Sequence, residues 1–141
     1  MVCLYCAGET AVTNSRASAQ GHSVWRRRRC KACSAIFTTN EYIQLTSALR
    51  VVKNTSLAPF APEKLYMSIY TALGPSEQSL EHARALMYTI TGKLLKKRGG
   101  ATVKADTIAE ITARTLKRFN KLAYIKYVAN HPSLHNQLKF K

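Results

Sequence analysis

The sequence predicts an α+β chain of two modules: an N-terminal ribbon of short antiparallel strands closed by four cysteines, then a mostly helical domain with a small sheet. Three observations predict it. All four cysteines fall in two CxxC pairs, Cys3/Cys6 and Cys30/Cys33, with 23 residues between the pairs. From about Pro62 onward apolar residues recur at spacings of 3 and 4, the period of a helix. Hydrophobic residues make up 46% of the 141 and charged ones 21%, a globular balance that leaves room for one ordinary domain or two small ones.

In the ribbon, residues 1–46, Ala11–Arg16 and Ser23–Arg28 are expected as strands around a turn at Ala19-Gln20-Gly21, with a third strand at Ala35–Thr39. So little apolar material lies here that a metal has to organise the fold. Residues 47–49 are a joint, Arg50-Val51-Val52-Lys53 a strand, and Asn54–Pro59 a loop. A first helix opens near Pro62, a suitable first-turn residue, carries Leu65, Ile69, Ala72 and Leu73, and stops at Gly74-Pro75. Leu80, Ala83, Met87, Ile90 and Leu94 form the stripe of a second helix, which ends in Lys96-Lys97-Arg98-Gly99-Gly100. Thr102-Val103 returns to the sheet. Ile108, Ile111, Thr115, Leu116 and Phe119 mark a third helix, with Thr107 and Glu110 at capping-box spacing. A fourth spans about Lys121–Ala129 and ends before His131-Pro132. The domain runs over 47–132, and 133–141 is a loosely held basic tail.

Charge narrows the partners. There are 22 Lys and Arg against 7 Asp and Glu, a net +15. Residues 1–50 carry 7 basic and 2 acidic side chains (+5), and 51–141 carry 15 and 5 (+10). A chain so basic throughout points to polyanions: nucleic acid, nucleotides or an anionic membrane surface. No stretch approaches the roughly 18 apolar residues of a membrane span. Because Cys3 follows so closely on Met1, no cleavable signal peptide is expected ahead of it, and the thiols are expected to stay reduced and to bind metal.

Two CxxC knuckles supply four sulfurs, the donor set of a tetrahedral Cys₄ zinc site without an open position. One structural zinc on Cys3, Cys6, Cys30 and Cys33 is therefore expected. His131 and His135 have metal-binding spacing, but Pro132 breaks the helix, so they read as surface histidines, and His22 reads as solvated. Trp25-Arg26-Arg27-Arg28-Arg29-Cys30-Lys31 is the densest charge in the chain. On a strand, Arg26 and Arg28 leave one face and Arg27 and Arg29 the other. The run is either a solvated balance to the thiolates or a set of phosphate clamps with a guanidinium or two reaching base edges; the rigid anchor at Cys30 favours the second. Trp25 is expected to pack as the ribbon's large apolar residue rather than to stack on a base.

Cys3-Leu-Tyr-Cys6, Asn14-Ser15-Arg16, Arg26–Arg29, Cys30-Lys-Ala-Cys33 and Phe37-Thr-Thr-Asn-Glu41 together resemble the NrdR family. These are bacterial repressors of ribonucleotide reductase genes, in which a zinc ribbon precedes an ATP-cone. The resemblance continues through Val51-Val52-Lys53, Pro59-Phe60, Glu63-Lys64-Leu65 and Ala123-Tyr124, covering roughly residues 1–129. It implies a ribbon that binds double-stranded operator boxes, with Arg16, Arg26, Arg27, Arg28, Arg29 and Lys31 as DNA contacts. It implies a cone that binds ATP and dATP through Val51, Lys53 and Lys64 and thereby changes a homo-oligomer. The implied compartment is the bacterial cytoplasm, at the nucleoid, with no membrane partner.

Departures from the family pattern fall mostly in the cone. The Arg-Asp-Gly usual after the strand lysine is replaced by the shorter Asn54-Thr55-Ser56-Leu57-Ala58, with Ala58 where an acid usually stands and Ala61 in place of a polar residue. Thr13-Asn14 replaces a valine-aspartate, and Asn130-His131-Pro132 replaces an aromatic-arginine ending. These changes motivate one alternative, a DNA-binding ribbon with a degenerate cone used only for oligomerisation. An RNA-binding ribbon is another. No G-x-x-x-x-G-K-[ST] is present, so phosphate binding is not of the P-loop kind. An enzyme is the least supported class: the carboxylates are thinly spread, the zinc is saturated, and no cysteine is left as a nucleophile.

Overall fold

Three strands whose side chains alternate between two open faces build the first unit, Met1–Gln44. In the computed structural model, which describes residues 1–18, 23–96 and 100–137, these are β1 (Thr10–Ala17), β2 (Ser23–Cys30) and β3 (Ile36–Tyr42). They pair antiparallel in that order; β1 passes both its expected ends, β2 starts as expected and runs on to Cys30, and β3 starts one residue later than expected and runs on to Tyr42. Register is set so that Arg28 lies between Val12 and Phe37, and Trp25 between Arg16 and Asn40. A bulge at Thr13 shifts β1 by one residue, and the Thr13 hydroxyl donates to the Arg27 carbonyl at 3.2 Å. The expected turn at 19–21, His22, residues 97–99 of the basic helix end and residues 138–141 of the tail lie outside the described residues.

The ribbon's buried cluster is Cys3, Cys30 and Phe37, with Ala35 packed against it. Trp25 is only partly buried and stays outside that cluster, contrary to expectation. Parity explains it: Phe37 opposes Arg28 and so shares a face with Cys30, whereas Trp25 leaves on the other face.

The second unit begins at Leu45. A short helix α1 (Leu45–Ala48) leads into β4 (Arg50–Lys53), and β5 (Ser56–Pro59) returns antiparallel to it. The segment expected as a loop is thus mostly strand. Asn54 takes φ 53°, which Asn tolerates well, so Lys53 and Ser56 close a two-residue turn and the chain re-enters the sheet at once. β6 (Thr102–Lys104) pairs parallel on the other side of β4, as expected for Thr102-Val103.

Helices α2 (Pro62–Leu73), α3 (Ser79–Lys96), α4 (Ala105–Phe119) and α5 (Lys121–Ala129) pack in a ring, each on the next and α5 back on α2. Each of these four gives the centre a fully buried residue: Ile69, Ile90, Leu116 and Val128. Each such burial contributes about 1.5–3 kcal/mol. α2 ends on Gly74, whose φ of 80° suits glycine and whose N–H donates to the Tyr70 carbonyl. The α3 stripe is rotated from expectation: Leu80 is 54% exposed and Leu86 is buried, so the inward line is Ala83, Leu86, Ile90 and Leu94. No capping box forms at Thr107, because α4 already starts at Ala105 and Thr107 lies inside its first turn. Phe119 faces outward and meets the His82 ring edge-to-face at 5.1 Å. The expected loose tail is also corrected: Pro132–Gln137 forms a 3₁₀ helix that seats Leu134, 2% exposed, in the core. No helix among the described residues is long and apolar enough to cross a membrane.

Candidate metal centre and nucleic-acid interface

The four cysteine sulfurs lie within 4.8 Å of one another, with Cys3 Sγ 3.6 Å from Cys33 Sγ and Cys6 Sγ 3.5 Å from Cys30 Sγ. Four ligands at about 2.3 Å around one tetrahedral zinc would stand about 3.8 Å apart, close to the spacing found. The knuckles are built alike. Ala7 and Ser34, each just after its second cysteine, take φ 56° and 59°. Cys3 N–H donates to the Gly8 carbonyl at 2.8 Å, and Cys30 N–H to Ala35 at 2.9 Å. Backbone N–H groups also point at sulfur: Tyr5 to Cys3, and Ala32 and Cys33 to Cys30, all at 3.4 Å. Such donors stabilise thiolate charge.

The Cys33 N–H is the main reason the Cys30 thiol titrates low, at about 6; burial opposes it, and the Ala32 N–H and the Cys6 and Cys33 thiols assist. For Cys33 the Ala35 N–H also lowers the value, but hydrogen bonds with Cys6, Cys30 and Cys3, together with desolvation, outweigh it and raise the thiol to about 12. Gly8 sits over the cluster. A Cβ there would stand 3.1 Å from Ala32 Cβ, 3.3 Å from Cys6 Sγ and 3.4 Å from Cys30 Sγ, so a side chain at this position would crowd the sulfurs and push its neighbours by a few tenths of an ångström. Donor set, spacing and this cradle all fit one zinc.

The ribbon's six candidate DNA contacts divide by face. Arg26 and Arg28 share the Cys30 face, where both find partners: Arg26 donates through Nε and Nη2 to Glu41, and Arg28 Nε donates to the Thr39 hydroxyl at 3.2 Å. Lys31 pairs with Glu9 at 2.8 Å, and that hydrogen bond and charge lower the Glu9 carboxyl below its ordinary range. Arg27 and Arg29 leave the opposite face and are exposed. Cross-strand register places Arg16, Asn14 and Trp25 on that face, with Thr38 and Asn40 from β3. Among the described residues no carboxylate pairs with Arg16, Arg27 or Arg29.

In the second unit, Val51 is half-buried against the core and Lys53 is exposed at the end of β4. The two leave the same face of the strand. Lys64 is exposed in the first turn of α2, whose N-cap Ala61 offers no side-chain bond. The two histidines bind carbonyls at the end of α5: His131 Nδ1 lies 2.7 Å from Tyr127 O, and His135 Nε2 lies 3.0 Å from Ala129 O.

One feature escaped sequence reasoning. Lys93 of α3 and Arg114, Lys117 and Arg118 of α4 line one groove with Ile111. The i, i+3, i+4 spacing in α4 was the available signal, but Lys93 joins only through the packing of α3 on α4.

A family profile described as "Transcriptional repressor NrdR-like, N-terminal domain" matches residues 1–41. Over the whole chain there are similar proteins named Transcriptional repressor NrdR. That of Janthinobacterium sp. (strain Marseille) is 37% identical, with 100% of this chain and 91% of the relative aligned. That of Herminiimonas arsenicoxydans is also 37% identical, over 100% and 90%. That of Leptothrix cholodnii is 36% identical, over 92% and 88%.

Proposed function

This chain belongs to the NrdR family of transcriptional repressors, and we propose from that premise that its ribbon grips operator DNA with the face carrying Arg16, Trp25, Arg27 and Arg29. It is a DNA-binding repressor with a zinc ribbon and not an enzyme. Zinc, where bound, supplies no reactivity; it fixes the two knuckles and hence the strands between them. The observation that carries the reading is the division of cations between faces. Arg26, Arg28 and Lys31 are held by ribbon side chains, while the face with Arg27 and Arg29 keeps its cations clear of carboxylates. Phosphate contacts from this face position the ribbon, and Arg16 or Arg27 reaching a guanine edge supplies sequence discrimination. Asn14 and Asn40 beside them add groups able to read adenine.

In this reading residues 1–46 bind DNA and 47–132 form the regulatory, oligomer-forming module. ATP and dATP bind near Val51, Lys53 and Lys64 and change how copies assemble, which sets operator affinity. The operators are those of ribonucleotide reductase genes, as the family resemblance implies. Lysines at a strand end and at a helix N-terminus supply charge and dipole suited to a triphosphate. The experiment is titration of the full chain onto duplexes from the reductase promoters of its own genome, with and without each nucleotide, against single-stranded RNA as competitor. Duplex-selective binding that changes with nucleotide supports the reading. Duplex binding indifferent to nucleotide returns the cone to a purely oligomeric role, which the missing acid at Ala58 favours.

A further inference from the structure

The groove between α3 and α4 has a volume of about 480 Å³ and is lined by Lys93, Ile111, Arg114, Lys117 and Arg118. Its four cations lie outside both the ribbon and the region of Val51, Lys53 and Lys64. Arg114, Lys117 and Arg118 stand at i, i+3 and i+4 of one helix, so their like charges repel. Among the described residues only Arg114 of these has a carboxylate partner, Glu110 at 3.4 Å. Lys93 instead donates to the Thr115 hydroxyl at 2.9 Å, and Lys117 lies 5.5 Å from the centre of the Tyr124 ring. The last turn of α4 accounts for some of this through its dipole, but Lys93 comes from another helix and adds a fourth charge to the same concavity.

The lining also decides between anions. A mononucleotide needs an open apolar face for its base and acceptors for its sugar and amino groups. Here the polar lining is cationic, and Tyr124 is 8% exposed. A run of phosphates needs only such donors, and two guanidiniums offer forked ones. Resting on the reading that the chain is a DNA-binding repressor, we infer that this groove is a second DNA-contact surface, one that neutralises backbone phosphates without reading sequence.

The test uses the full chain and one operator duplex, with affinity measured from 50 to 200 mM salt. Each lost phosphate contact lowers the log–log salt slope by about 0.9, so Arg114→Gln/Arg118→Gln should flatten it by about 1.8 units. The matched pair Arg84→Gln/Lys126→Gln removes the same charge from exposed positions of α3 and α5 and should leave the slope unchanged. An unchanged slope for Arg114→Gln/Arg118→Gln, or an equal change in the matched pair, overturns the inference while leaving the repressor reading intact. Weakened ATP binding with an unchanged DNA slope also overturns it, making the groove a nucleotide site. A wild-type chain that does not bind the duplex overturns the repressor reading and this inference together.

Discussion

The Arg26 guanidinium reaches across from β2 to Glu41 of β3, its Nη2 3.0 Å and its Nε 3.2 Å from the same carboxylate oxygen. The next residue, Arg27, leaves the opposite face and opposes Thr38. Two neighbours in the densest cationic run therefore have different work. Arg26→Ala is expected to leave operator affinity and salt slope near wild type, because its charge is already balanced and turned away from the DNA-facing side. With the Glu41 side chain 67% exposed, breaking the pair should cost no more than about 1 kcal/mol of ribbon stability. A salt slope flattened by a full unit in Arg26→Ala would place DNA on the other face.

Zinc content tests the ribbon. Elemental analysis should find one zinc per chain, and Cys30→Ser should abolish it, unfolding residues 1–44 while far-ultraviolet dichroism still reports the helices. Gly8→Ala should retain the fold but weaken zinc retention against a chelator by about tenfold, the low end for changes around metal ligands, because the new methyl must displace Ala32 and the Cys6 sulfur. Wild-type retention in Gly8→Ala would show that the first knuckle has slack.

Leu134 makes the C-terminal 3₁₀ turn part of the core. Leu134→Ala should lower the stability of the helical unit by about 2–5 kcal/mol in denaturant melts, whereas Asn136→Ala at an exposed site should lie within about 0.5 kcal/mol of wild type. Equal stability of the two variants would return the segment to a loose tail.

Lys53→Ala and Lys64→Ala should each weaken ATP and dATP alike, by about tenfold or more if the ammonium meets a phosphate. Preference between the two nucleotides should be slight, because telling ribose from deoxyribose requires a positioned polar partner and Ala58 offers none. Calorimetry on the full chain measures all four affinities. Strong selectivity for dATP would mean that other residues rebuild the sugar site.

The metal centre was legible because cysteine spacing encodes it locally, and the strand alternation of Arg26–Arg29 followed from parity alone. Trp25 misleads because burial in so small a sheet depends on which face the sulfurs occupy, and only the register that sets Phe37 opposite Arg28, on the face of Cys30, settles that. Asn54 hid a hairpin: a two-residue turn with positive φ needs no glycine when asparagine is there. Leu134 stands among polar neighbours that read as a loose tail, although one apolar side chain suffices to dock a turn. Lys93 and Arg118 met only through tertiary packing, which no local pattern records.

The claim that the open ribbon face holds the operator is tested most directly by Arg27→Ala/Arg29→Ala in the full chain, its binding to a reductase-promoter duplex followed as salt is raised. Both guanidiniums lack carboxylate partners among the described residues, so their full charge is available to phosphate or base. The expected slope is about 1.8 units shallower than wild type, with zinc content unchanged. A double variant that keeps both the wild-type affinity and the wild-type slope would contradict it.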